Sequence, residues 1–238
     1  MRRETQNVLL ILLGGAVLKI SLNGDYVRYV KASLQPWLIA AGVFTIAVAV
    51  IGIVRDIRAG SAASSDADHT HDHEHSSRSP WLLLLPALAI FLVAPPALGA
   101  DKVLRSGTVV AAQPAATFSA LPAGDAPLLD LSDAVTRAVW DDSGSLDNRE
   151  IRLVGFVVRM GDGSVALARL TIGCCAADAA ALKVTLRGPG VESYEPDTWL
   201  EARGTMVPDS ATEANGRVPV FAATTLTAVP PPDDQYEY

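Results

Sequence analysis

Residues 37–54 read WLIAAGVFTIAVAVIGIV, eighteen consecutive positions without a charged side chain. An α-helix rises about 1.5 Å per residue, so a run of this length crosses the hydrocarbon core of a bilayer with little tilt. Trp37 opens the run and Arg55 closes it, residue types that anchor a span at the two interfaces. Upstream, residues 8–22 (VLLILLGGAVLKISL) form another apolar run behind Met1-Arg2-Arg3. That order also suits a signal peptide, but no small-x-small cleavage site follows and Lys19 can snorkel from a helix end, so a first membrane helix is expected. Downstream, residues 81–99 (WLLLLPALAIFLVAPPALG) are uncharged over a spanning length, although Pro86, Pro95 and Pro96 interrupt them. A third span is expected there, with a kinked or re-entrant segment as the alternative.

Half of the 238 residues are hydrophobic, and the apolar ones concentrate before Gly99. The expected class is therefore a membrane protein, with two or three N-terminal transmembrane helices and a mainly-β C-terminal domain shaped as a small OB-like barrel. The expected divisions are two helices over 1–58, a His-rich disordered cytoplasmic loop over 59–79 and a third apolar segment over 80–100. A flexible tether over 101–127, the β domain over 128–228 and a flexible tail over 229–238 follow.

The β domain is read from its strand signals. Ile151–Met160, Ser164–Ile172, Leu182–Arg187, Thr198–Val207 and Val218–Ala228 are rich in β-branched and apolar residues. Gly161-Asp162-Gly163 marks a tight hairpin between the first two. A glycine inside the first strand and another inside the fourth suggest places where a barrel bends. Ahead of the strands, Asp130, Ser132 and Asp133 suit the start of a short helix whose apolar face is Leu131, Ala134, Val135, Ala138 and Val139.

Basic residues set the orientation. Arg2, Arg3, Arg55, Arg58 and Arg78 fall on one side of the spans and Arg28 and Lys31 on the other. The positive-inside rule places the first group in the cytoplasm. With three spans the β domain lies outside, and with two it lies inside. The expected location is a bacterial cell membrane, multi-pass, with the β domain extracytoplasmic. Residues 101–238 carry 19 acidic against 11 basic side chains. Such a domain repels phosphate backbones, so the lipid bilayer is an expected partner and nucleic acid is not.

Two groups of residues could carry chemistry. The first is Gly173-Cys174-Cys175-Ala176-Ala177-Asp178-Ala179 at the end of the second strand, which holds both cysteines of the chain. Adjacent Cα atoms lie about 3.8 Å apart, short of the range of about 4.4 to 6.8 Å that an ordinary disulfide spans. Side chains alternate along a strand, so both thiols face one site only if the chain turns, which Gly173 allows. A helical turn starting at Ala176 would lower the thiol pKa. Cys174, Cys175 and Asp178 are thus candidate metal ligands for a divalent transition metal such as zinc, or a redox pair. The plainer reading is two small buried hydrophobes at a tight connection.

The second group is His69, His71, His73 and His75, every histidine in the chain, within residues 68–75 (DHTHDHEH). Imidazoles at this spacing bind zinc, nickel or copper weakly, and the plainer reading is a polar spacer. There is no phosphate-binding glycine loop, no Ser/His/Asp set and no histidine beside the cysteines, so no catalytic residue is assigned and an enzyme is not expected. Apart from Lys19 the spans lack ionisable side chains, which suits an accessory subunit better than a pore.

The order of these features resembles the YcgQ-like family of two-component permease subunits. Residues 169–179 (RLTIGCCAADA) carry the resemblance most specifically, with Gly155-Phe156-Val157 and residues 199–204 (WLEARG) in support. It implies a role as accessory subunit beside a larger multi-span YraQ-like permease, with Cys174, Cys175 and Asp178 as the matching site residues. Two other functions stay open: an envelope thiol redox protein, and a membrane metal sensor using the His-rich loop.

Overall fold

The computed structural model describes residues 3–62, 96–106 and 118–238. The chain divides into two compact units, one of residues 1–26 and 32–96, the other of residues 27–31 and 97–238.

In the first unit, α1 (Arg3–Asn23) and α2 (Gln35–Ala62) pack as a hairpin. Both are long and apolar enough to cross a membrane. Small residues let them approach closely, as between membrane helices: a Cβ added at Gly42 would stand 2.8 Å from the Leu18 side chain, and one at Gly52 would stand 2.7 Å from Asn7. Leu13, Val43, Phe44, Ile51 and Ile57 point outward, an apolar exterior that suits lipid. Ser21 Oγ donates to Val17 O, and Gln35 Nε2 donates to Ser21 O. Helix α2 runs four residues past the boundary expected at position 58. The expected His-rich loop and third apolar segment lie almost wholly outside the described residues.

The second unit is mostly β. After α3 (Ala100–Arg105) come β1 (Leu128–Leu129), α4 (Leu131–Trp140), β2 (Glu150–Arg159), β3 (Val165–Thr171), β4 (Ala180–Arg187), β5 (Trp199–Met206), β6 (Val220–Ala228) and β7 (Tyr236–Glu237). They form one mixed sheet in the order β1-β2-β5-β6-β4-β3-β7, and β2 also pairs with β3, so β2, β5, β6, β4 and β3 close a ring with β1 and β7 outside it. The β4–β6 pair is parallel and β2–β3 antiparallel. At Gly204, where the register against β6 shifts, an added Cβ would collide with the carbonyl of Ala222.

Both faces of the central strands are covered, which is why β3 reads as a nearly continuous apolar run. Leu131, Ala134 and Val135 of α4 pack with Leu153, Leu167, Val184, Leu200 and Phe221. Ala100 and Val103 of α3 pack with Phe156, Leu170, Trp199 and Tyr236 on the other face. The part of the expected tether that forms α3 is therefore a docked helix, because Val103 has apolar surface to bury.

The chain end departs furthest from expectation. In place of a loose tail, Tyr236 and Glu237 pair in parallel with Leu170 and Thr171 of β3, and both are buried. Asp130 makes no side-chain cap at α4. The Glu237 carboxylate caps the helix instead, accepting from Leu131 N at 2.9 Å and Ser132 N at 2.8 Å. Glu237 Oε1 also lies 3.5 Å from Nε of Arg169, whose Nη2 donates to the carbonyls of Asp234 and Tyr236. The Arg169 guanidinium sits 5.0 Å over the Trp199 ring.

Removing one partner of a buried ion pair typically costs about 3 to 5 kcal/mol, because the other charge stays buried without compensation. Glu237→Ala is expected to destabilise the β unit by that order in denaturant unfolding followed by tryptophan fluorescence. The double change Arg169→Met with Glu237→Leu is expected to cost less than Glu237→Ala alone.

Candidate functional site

The polypeptide turns at Gly173, directly after β3, and the turn is built from the Asp178 carboxylate. Its Oδ1 accepts from Gly173 N at 3.1 Å and its Oδ2 from Cys174 N at 2.8 Å. An added Cβ at Gly173 would stand only 3.2 Å from Oδ2, so glycine is what lets the carboxylate come this close. Residues Ala176–Asp178 then make a single 3-10 turn with Cys175 before it.

Two further contacts fix the turn. Ile172 N donates to Glu237 O at 3.1 Å, joining β3 to the chain end. Residues 27–31, which link α1 to α2 in sequence, lie along the other side: Ala176 N donates to Tyr29 O at 2.7 Å, Lys31 N donates to Cys174 O at 3.0 Å, and Val30 bridges Cys175. The same segment meets the chain end, where Tyr236 Oη donates to Arg28 O at 2.8 Å. Lys31 Nζ lies 4.8 Å over the Tyr238 ring.

The structure therefore brings Cys174, Cys175 and Asp178 together. One ligand atom from each, two sulfurs and a carboxylate oxygen, lies within 4.8 Å of the others, a spacing of the size that holds a metal ion. Cys174 and Asp178 are exposed, and Cys175 is half-buried. Both cysteines are free thiols. His69, His71, His73 and His75 lie outside the described residues.

The electrostatics of the thiol run against the expected helix effect. Cys174 is pushed up to about 11, first by its hydrogen bond to the Asp178 carboxylate and next by the Cys175 thiol. Asp178 is held below its ordinary range by the Cys174 thiol and then by the Cys174 backbone N–H. A three-residue 3-10 turn has too few aligned peptides to act as a helix N-terminus, so the adjacent negative charge decides the sign.

The reading from sequence missed Tyr29, Val30 and Lys31, Arg169 as a buried cation, and the chain end. Only the last left a local signal: the alternation in Tyr236-Glu237-Tyr238 is a short strand pattern beyond the proline run.

With this geometry in place the family can be stated. The N-terminal domain model of DUF1980 matches residues 5–112, and its C-terminal domain model matches residues 134–238. The chain belongs to the DUF1980 family. This is the level of the YcgQ-like resemblance. No curated protein and no solved structure matches the chain.

Thiolate is the form that alkylates, so the raised Cys174 value fixes a pH dependence. In Cys175→Ser, which removes the smaller cause and keeps the Asp178 bond, the Cys174 alkylation rate is expected to go on rising with pH beyond 9.0, the ordinary thiol value. Asp178→Asn removes the larger cause, so its plateau is expected at lower pH and its rate at pH 7 is expected to be higher.

Proposed function

We propose that this DUF1980 chain is a membrane-anchored accessory subunit of a two-component permease system. Its β unit is extracytoplasmic, docks on a multi-span YraQ-like permease, and binds a divalent transition metal such as zinc through Cys174, Cys175 and Asp178. The observation that carries this reading is the seating of residues 27–31 against the Cys174-Cys175 turn.

The argument is one of covalent connection. Residues 27–31 leave α1 and lead to α2, so if both helices span, this segment lies on the face opposite the chain start. It belongs to the same compact unit as the β strands, which supports placing those strands on that face too. Helix α2 leads away from it, so this reading requires the chain to return across the bilayer between Ala62 and Ala97, where residues 79–96 run eighteen positions without a charge. The excess of arginine near the chain start and after α2 supports a cytoplasmic location for the other face.

The strand connectivity supports reading the ring as a small OB-like barrel, with β2 pairing both β3 and β5 and with β4 parallel to β6. Barrels of this kind present a strand face and loops to a partner. The metal reading is supported by the three clustered ligand atoms. The redox reading is weakened by the proton held on Cys174, since a nucleophilic thiol needs a depressed pKa.

In intact cells, membrane-impermeant maleimide is expected to label Cys174 and Cys175, and a chelator to increase that labelling. Labelling only after lysis would place the β unit in the cytoplasm and overturn this topology. A tagged chain taken from its native membrane in mild detergent is expected to bring down a multi-span permease in stoichiometric amount. Recovery without any such protein removes the accessory-subunit reading.

A further inference from the structure

We propose that Cys174, Cys175 and Asp178 form an exchange site for a thiophilic d10 cation, Zn(II) or Cu(I), which a partner's thiolate takes by ligand substitution; this rests on the metal-binding reading above. The site offers three ligand atoms within 4.8 Å of one another. Among the described residues no fourth His, Cys, Asp or Glu joins that group, and every histidine precedes position 76 in the sequence. Structural zinc sites are closed by four protein ligands, whereas sites with three leave a coordination position for an incoming group. Exposure of Cys174 and Asp178 leaves that position reachable from solvent.

The three ligands are unequal. Soft thiolates favour Zn(II) and Cu(I), while the Asp178 carboxylate is a hard donor whose two oxygens already accept from Gly173 N and Cys174 N. Asp178 is therefore the ligand that gives way. The backbone bonds from Tyr29, Lys31 and Glu237 hold the turn in place, so exchange needs no rearrangement of the chain.

Loading forms two metal–sulfur bonds and one metal–oxygen bond as the water or carrier ligands of the incoming ion leave, and the two thiol protons pass to solvent. In transfer, a partner thiol loses its proton and forms a new metal–sulfur bond while the bond to Asp178 breaks. Further partner ligands then displace Cys175 and Cys174, which regain protons from solvent. The ion keeps its oxidation state throughout, so no oxidant or reductant takes part.

The test uses the full chain in nanodiscs under anaerobic conditions, loaded with Zn(II) in one arm and Cu(I) in the other. Affinity is read against a chromophoric competitor, coordination by X-ray absorption, and transfer to the competitor with 2-mercaptoethanol as the monothiol probe. One equivalent should bind in at least one arm through two protein sulfurs, with a third sulfur appearing on addition of 2-mercaptoethanol. The transfer rate should rise with monothiol concentration. Cys174→Ser and Cys175→Ser should each weaken binding at least about 100-fold, and Asp178→Asn about tenfold or less with faster transfer. Unfolding midpoints of the variants are measured alongside, so that a folding defect does not pass as lost affinity. Tight binding through both cysteines with a rate indifferent to the monothiol would overturn exchange and leave the metal reading standing. Affinity in both arms unaffected by either serine variant would overturn both.

Discussion

A buried cation facing a buried carboxylate is the constraint on which the second unit depends. Arg169 and Glu237 are each more than nine-tenths buried. Taking either charge out of water costs several kcal/mol, which attraction between the two offsets only when their remaining polar atoms are also engaged. Here the engagement is divided among distant parts of the chain. Glu237 takes the first two amides of α4, Arg169 takes carbonyls from the chain end, and Trp199 of β5 supplies an aromatic face. Each partner is useful only if the others are in place, so the pair couples the start of α4, the end of β3 and the last residues of the protein.

That coupling continues into the cysteine turn. Thr171 pairs with Glu237 in the ladder, and Ile172 donates to the same residue, so the backbone entering Gly173 is already fixed. Beyond the turn, residues 27–31 supply the next backbone partners. A turn carrying two adjacent cysteines has little apolar surface of its own to bury, and its conformation comes from hydrogen bonds to its neighbours. Arg169 lies on the strand that leads into this turn and ties it to the chain end.

The regular elements were legible because their signals are local. Runs of β-branched and apolar residues indicated the five long strands to within two residues at each end, Gly161-Asp162-Gly163 indicated the hairpin, and 3.6-residue spacing indicated the buried face of α4. What escaped depends on partners far away in sequence. Nothing near Asp130 indicates that its helix is capped from position 237, and nothing in Tyr29-Val30-Lys31 indicates a partner at Cys174. The candidates Cys174, Cys175 and Asp178 stand out in the sequence, and the fold brings one ligand atom of each within 4.8 Å of the others. The sign of the thiol shift was not, because it depends on a carboxylate folding back four residues to meet Cys174.

Selectivity under the proposed reading divides between two length scales. The acidic excess of residues 101–238 draws any cation toward the unit, Mg²⁺ and Ca²⁺ as readily as zinc, and that field is screened within about 8 Å at physiological salt. It can raise local concentration but cannot choose among ions. The choice falls to the turn. A hard cation needs six or more oxygens and finds one carboxylate already accepting two backbone hydrogens. A soft cation finds two sulfurs, and displacing the proton that Asp178 holds on Cys174 requires strong affinity for thiolate. The same carboxylate that makes the thiol a poor nucleophile therefore raises the threshold an ion must pass to occupy the site.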